Sequence, residues 1–182
     1  AIIGIPVYAG RVPKGCLERM AGYKAKNVPT ILVALYGNRE FEDALVELRD
    51  VSIAQGFKVI AAGAFIGEHS YSTPERPIAA GRPNVDDLRL AVEFGQQVAE
   101  KIEHNDFSLP EIDGNVPYKD RVKFGGVAPK TDAEACTLCG KCAEVCPARV
   151  VTVLNSVTTH AEHCIMCSAC VKTCPVSARP FN

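Results

Sequence analysis

The chain has 182 residues, a formal charge of −1 and nine cysteines. That length holds one medium domain and one small one, and no apolar run is long enough to cross a bilayer. Eight of the nine cysteines crowd into the last quarter at spacings that suit metal better than disulfides. This argues against a disulfide-stapled secreted fold and for a reducing, cytoplasmic setting.

Residues 2–8 (IIGIPVY) form a short apolar run expected as a strand, followed by a Gly/Pro loop at 9–13 and a helical stretch over 14–23. Residues 30–36 (TILVALY) are the clearest β-rich run. Beyond Gly37 and Asn38 a long helix is expected to residue 55, with Phe41, Ala44, Leu45, Leu48 and Val51 at helical spacing and Gly56 as its stop. Residues 57–66 (FKVIAAGAFI) read as a third strand of the buried type. After a polar loop, Asn84 can cap a helix over 85–103, with Val85, Leu88, Ala91, Val92, Val98, Ala99 and Ile102 expected on one face.

Strand and helix alternate three times, and the strands are apolar throughout. The pattern predicts an α/β domain over 1–105, a doubly wound parallel sheet covered by helices on both faces. In such sheets the loops leaving the strand C-termini gather along one edge, where ligands bind. Those loops are Tyr8-Ala9-Gly10-Arg11, Tyr36-Gly37-Asn38-Arg39 and residues 67–83. Two of them combine an aromatic ring, which can lie against a planar ligand, with a glycine whose exposed amide can bond it, and an arginine. Strand ends and tight turns carry Tyr and Gly for packing reasons too, so spacing leaves the ligand and packing readings level. His69 in the third loop can face the same edge, although a lone histidine in a polar loop is more often solvated.

Residues 106–129 scatter Pro, Gly and charge without period and read as a linker that packs across the first domain to deliver a second over 130–182. There, Cys136, Cys139, Cys142 and Cys146, and again Cys164, Cys167, Cys170 and Cys174, each spell C-x-x-C-x-x-C-x-x-x-C-P, closed by Pro147 and Pro175. This is the spacing that holds two [4Fe-4S] clusters, the fourth cysteine of each run serving the other cluster. One tight loop can wrap three corners of a cubane, and the fourth ligand must come from elsewhere. The expected sets are Cys136, Cys139, Cys142 and Cys174 for one cluster, and Cys164, Cys167, Cys170 and Cys146 for the other. Paired zinc knuckles gain nothing from a third and fourth cysteine at these offsets. Purely structural clusters are the plainer alternative to a conduit for single electrons. Between the runs, 149–154 and 157–160 read as a hairpin turning at Asn155-Ser156. Cys16 is expected as a buried small apolar residue. His104 ends a helix, and His160 and His163 flank the second cysteine loop, where a hydrogen bond from His163 competes with plain exposure.

PVYAGRVP (6–13), YGNREFEDAL (36–45), GFKVIAAGAFIGEHS (56–70), GRPNVDDL (81–88) and the two cysteine runs, in this order, resemble the flavodoxin-ferredoxin fusion proteins of anaerobic bacteria and archaea. The resemblance implies a flavodoxin-like, FMN-binding α/β domain followed by a small α+β two-cluster ferredoxin domain. It places Tyr8, Ala9, Gly10 and Arg11 in the flavin-flanking loop after that fold's third strand, and Tyr36, Gly37, Asn38 and Arg39 in the loop after its fourth. Phe41 stands where the family commonly has tyrosine, keeping the ring and losing the hydroxyl. The family's first strand and phosphate-binding loop have no counterpart ahead of Ile2. The expectation is therefore the C-terminal, three-stranded part of such a domain, binding FMN only together with a preceding segment. The implied role is electron transfer, the clusters relaying single electrons to or from FMN. The alternative is a ferredoxin whose α/β domain only docks a redox partner protein, while a substrate-reducing enzyme lacks an identifiable acid or nucleophile. An apolar strand edge at 2–8 would invite a homo-oligomer. Two clusters add negative charge, which argues against nucleic acid.

Overall fold

The computed structural model describes residues 1–123 and 125–180. Phe124, within the expected linker, and Phe181 and Asn182, at the end of the expected second domain, lie outside the described residues. The chain divides into two units, Ala1–Arg121 and Val122–Asn182.

In the first unit the elements run β1 (Ile2–Pro6), α1 (Lys14–Met20), β2 (Val28–Tyr36), α2 (Ala44–Ala54), β3 (Phe57–Ile66) and α3 (Val85–Glu103). The three strands pair in parallel in the order β1-β2-β3. Side chains alternate across a strand, and β2 shows the consequence. Thr30, Leu32 and Ala34 are fully buried, Leu32 and Ala34 within the core that Ile5, Val12, Met20, Leu45, Leu48 and Val59 complete. Ile31 and Val33 on the opposite face are half-buried, and Leu35 is 54 % exposed.

That second face corrects the expectation of a sheet covered on both sides. Among the described residues it meets α3, and only Asp87 and Val98 of that helix are buried. Phe94 packs edge-on against Phe65 of β3 at 5.4 Å between ring centres, while Val85, Leu88, Val92 and Ile102 stay exposed. An apolar stripe says that a helix can be covered, not that it is. The start of α3 is as expected: the Asn84 side chain accepts from the Asp87 amide at 3.0 Å, and the Asp87 carboxylate accepts from the Asn84 amide at 2.8 Å. Arg82 pairs with that carboxylate and, with the Asn84 amide, holds it down at about 2.

The second unit holds α4 (Lys141–Glu144), an antiparallel hairpin of β4 (Val151–Val153) and β5 (Val157–Thr159), and α5 (Ala169–Lys172). The hairpin closes through Asn155-Ser156, with the Leu154 amide donating to the Ser156 carbonyl. Its small core is built on Cys142, Val150 and Val151.

Helix α2 starts at Ala44, later than the periodicity of Phe41 suggests, because Asn38 and Glu42 take left-handed backbone angles that a continuing helix excludes. Its N-cap, Asp43, and its first turn, at Glu47, carry two buried carboxylates. Asp43 accepts from the Asn115 amide (2.7 Å), the Asn115 side chain (2.9 Å) and the Lys119 amide (2.7 Å). Glu47 accepts from Arg11 (2.9 and 3.0 Å), from the Val12 amide (2.9 Å) and from Arg121. Tyr118 donates to Asp50 at 2.5 Å, and burial with that carboxylate pushes its hydroxyl up to about 12. Gly114 passes so close to Val46 that any side chain would overlap it. Residues 114–121 are thus strapped along α2, and 106–121 group with the first unit.

Removing the Asp43 carboxylate would strand three donors beside a fully buried site. Asp43→Ala is expected to cost about 3 kcal/mol in urea unfolding followed by far-ultraviolet circular dichroism. Hydrogen bonds from Lys119 and Asn115 hold the Asp43 carboxyl below its ordinary 3.8. Its contribution is therefore complete above that value and is lost as pH falls through the lower folded value. Asp43→Asn should flatten the fall of stability in that acid range; an unchanged slope would contradict the assignment.

Candidate metal centres and a candidate ligand cavity

The two cysteine runs stand 28 residues apart in the sequence, and the backbone repeats with them. Leu138 and Met166, the residues before the second cysteine of each run, are both left-handed (φ 55° and 53°). Gly140 and Ser168, one step before the short helices α4 and α5, are left-handed as well (φ 80° and 61°), as are Arg149 and Ser177 (φ 53° and 52°). Isolated left-handed residues among right-handed ones turn successive N–H groups to one side, forming the concavities that hold anions at iron-sulfur sites. The sulfurs already accept such bonds. Cys146 Sγ receives the Val150 amide at 3.4 Å, and Cys174 Sγ receives the Ala178 amide at 3.2 Å, again a repeat-related pair.

Two small cavities lie in this unit. One is bordered by Cys136, Cys139, Cys142 and Cys174, the other by Cys146, Cys164, Cys167 and Cys170. The fourth cysteine of each run thus borders the cavity of the other run. Each cavity also has a buried polar atom with no partner among the described residues: Arg179 Nε belongs to a residue lining the first, and Ser168 Oγ to one lining the second. Sulfide and thiolate are acceptors that would satisfy both, so the residues fit cluster binding. Among the described residues no three Cys, His or carboxylate groups converge closely enough to share one metal ion. Each set of four thiols borders one cavity, a donor set that fits a cube of iron and sulfide. Burial pushes the Cys142 and Cys164 thiols upward, so cluster assembly must displace their protons.

The other singled-out residues fall elsewhere. Cys16 is half-buried against the core of the first unit, and burial raises its thiol. His104 Nδ1 lies 2.8 Å from the Glu100 carbonyl at the end of α3. His160 and His163 line neither cysteine cavity.

In the first unit a cavity of about 870 Å³ opens on the less covered sheet face and reaches the C-terminal strand ends. Tyr8, Tyr36 and Gly37 border it, whereas Ala9, Gly10, Arg11, Asn38 and Arg39 do not. Arg11 is turned inward, bonded to Glu47 and lying over the Tyr118 ring at 4.7 Å. Gly10 sits against Glu42. At Gly37 a Cβ would lie 2.3 Å from the His69 ring, so this glycine makes room for His69, which borders the same cavity. The Tyr71 amide donates to His69 Nδ1 at 3.0 Å, placing the proton of the neutral ring on Nε2. Phe41 packs edge-on against Tyr36 at 5.4 Å. Ile31, Val33, Leu35, Phe65, Leu88 and Phe94 complete much of the apolar wall. Their alternation along β2 was readable, but the gap opposite them was not. The charged residues of the lining are Glu68 and Asp87, both acidic.

Residues 128–175 match the family described as the 4Fe-4S dicluster domain. No curated protein matches the chain. Among the described residues no helix is long and apolar enough to cross a membrane. The cysteine-rich unit is a ferredoxin-like iron-sulfur domain, joined to a unit built on a three-stranded parallel sheet.

Proposed function

We propose that this protein carries electrons through two [4Fe-4S] clusters and exchanges them with a flavin held at the strand ends of the α/β unit. The observation that carries the cluster part is the crossed grouping of eight cysteines around two cavities. Cys136, Cys139, Cys142 and Cys174 would hold one cluster, and Cys164, Cys167, Cys170 and Cys146 the other. When bound, each cluster supplies a one-electron relay. The chain's own part is to present thiolates in fixed directions, donate N–H groups to sulfur, and keep water out with Val150, Val151 and Val157. The flavin part rests on Tyr8, Tyr36, Gly37 and His69 around an apolar cavity of a size common for small-molecule sites. These residues fit a ring. The charged residues of the lining, Glu68 and an Asp87 already paired with Arg82, offer a phosphate no cation inside the cavity.

A second reading, the α/β unit as a docking module for a redox partner, is favoured by the exposed apolar residues Ile2, Leu35, Leu88 and Val92. Flavin titration separates the two. If the cavity takes the ring alone, riboflavin and FMN should bind the 182-residue chain with affinities within tenfold of each other. FMN bound more than a hundredfold tighter would place the phosphate on residues outside this cavity. Binding of neither would remove the flavin reading for the 182-residue chain by itself and favour docking there.

Anaerobically prepared protein should carry about eight iron and eight sulfide per chain. Stoichiometric zinc without sulfide would refute the cluster reading. Cys146→Ser should damage the cluster of the second cysteine run, and Cys174→Ser that of the first, so paramagnetic resonance of the two reduced variants should show loss of different clusters. Damage confined to the cluster of the mutated run would overturn the crossed ligation.

A further inference from the structure

Arg179 is a buried charged residue that the repeat does not share. It is only 2 % exposed. Its counterpart 28 residues earlier is Val151, a buried apolar residue of β4. A guanidinium taken out of water is costly unless anionic or acceptor groups replace its hydration. Among the described residues no carboxylate forms an ion pair with it, and its Nε has no partner.

The partners it does have come in repeat-related pairs. Nη1 donates to Thr131 Oγ1 at 2.6 Å and Nη2 to Thr159 Oγ1 at 3.0 Å, and these two threonines are 28 residues apart. Nη2 also lies 3.6 Å from Cys170 Sγ, while the same side chain borders the cavity of Cys136, Cys139, Cys142 and Cys174. Its charge is also felt at Cys142, the repeat mate of Cys170. One cation thus stands between the two sets of thiols, anchored by a threonine from each half.

We infer that Arg179 is a positioning residue shared by both clusters, its charge and N–H groups setting both reduction potentials upward. The inference rests on the two-cluster reading. Reduction adds one electron to a cluster and no proton to Arg179, so the added negative charge must be balanced by groups already in place. A fixed guanidinium contributes more to the reduced than to the oxidised state. A valine at the equivalent place contributes nothing of the kind.

The test is a redox titration of the whole chain with dithionite as electron donor, read by visible absorption and paramagnetic resonance. Arg179→Gln, with iron and sulfide intact, should lower both midpoint potentials by at least tenfold in the reduction equilibrium, about 59 mV for one electron. Arg179→Lys should recover most of that shift. Potentials within threefold of the unaltered protein in Arg179→Gln would overturn the inference, as would a Lys variant that falls as far as the Gln variant. Should Arg179→Gln fail to retain its clusters, Arg179→Lys decides. Retained clusters at near-normal potentials support the charge, and clusters lost in both variants reduce Arg179 to a packing role and overturn it. Iron and sulfide content of the unaltered protein reports separately on the two-cluster reading.

Discussion

Four thiolates must reach four corners of a cube, and a single C-x-x-C-x-x-C loop reaches only three. The two-cluster reading of the second unit turns on that shortage. The chain makes the loop twice, and the last cysteine of each run borders the cavity of the other. The left-handed residues at Leu138, Gly140, Met166 and Ser168 tighten the loops, and the hairpin of β4 and β5 lies between the two runs in the chain. Local backbone strain of this kind persists only where surrounding structure over-determines it, and repetition at equivalent positions ties it to the cavities.

In the first unit the governing groups are two carboxylates at the start of α2, one at its N-cap and one in its first turn. Asp43 and Glu47 are buried with their acceptors filled by residues 11, 12, 115, 119 and 121, so breaking any partner leaves a charge inside. They draw the loop after β1 and the strap 114–121 onto the same helix. This is why Arg11, for all its resemblance to a ligand-loop arginine, is committed to packing. The opposite sheet face remains open around Tyr8, Tyr36 and His69.

The α/β character, the three strands, the Asn84 cap and the cysteine pattern were all legible, because each is a local rule: alternation, helical period, capping chemistry and ligand spacing. The start of α2 was less so, since the left-handed Asn38 and Glu42 exclude helix ahead of Ala44 without altering its apolar period. Val85, Leu88 and Val92 show the limit most clearly. Their spacing describes a face that would bury well, yet they are exposed, because burial is a property of two surfaces and the sequence of one helix describes only one of them.

What the sequence by itself determined was the chemistry of the second unit: eight cysteines at iron-sulfur spacing admit few other uses, since thiolate spacing sets which inorganic core can be wrapped. Tertiary structure alone decided which side chains share a site. It turned Arg11 away from the cavity and His69 toward it, and it placed Arg179, an unremarkable residue near the end of the chain, between the two thiol sets. The physical reason is that ion pairs, orphaned donors and cavity walls join residues far apart in the chain, and no periodicity along the sequence records them.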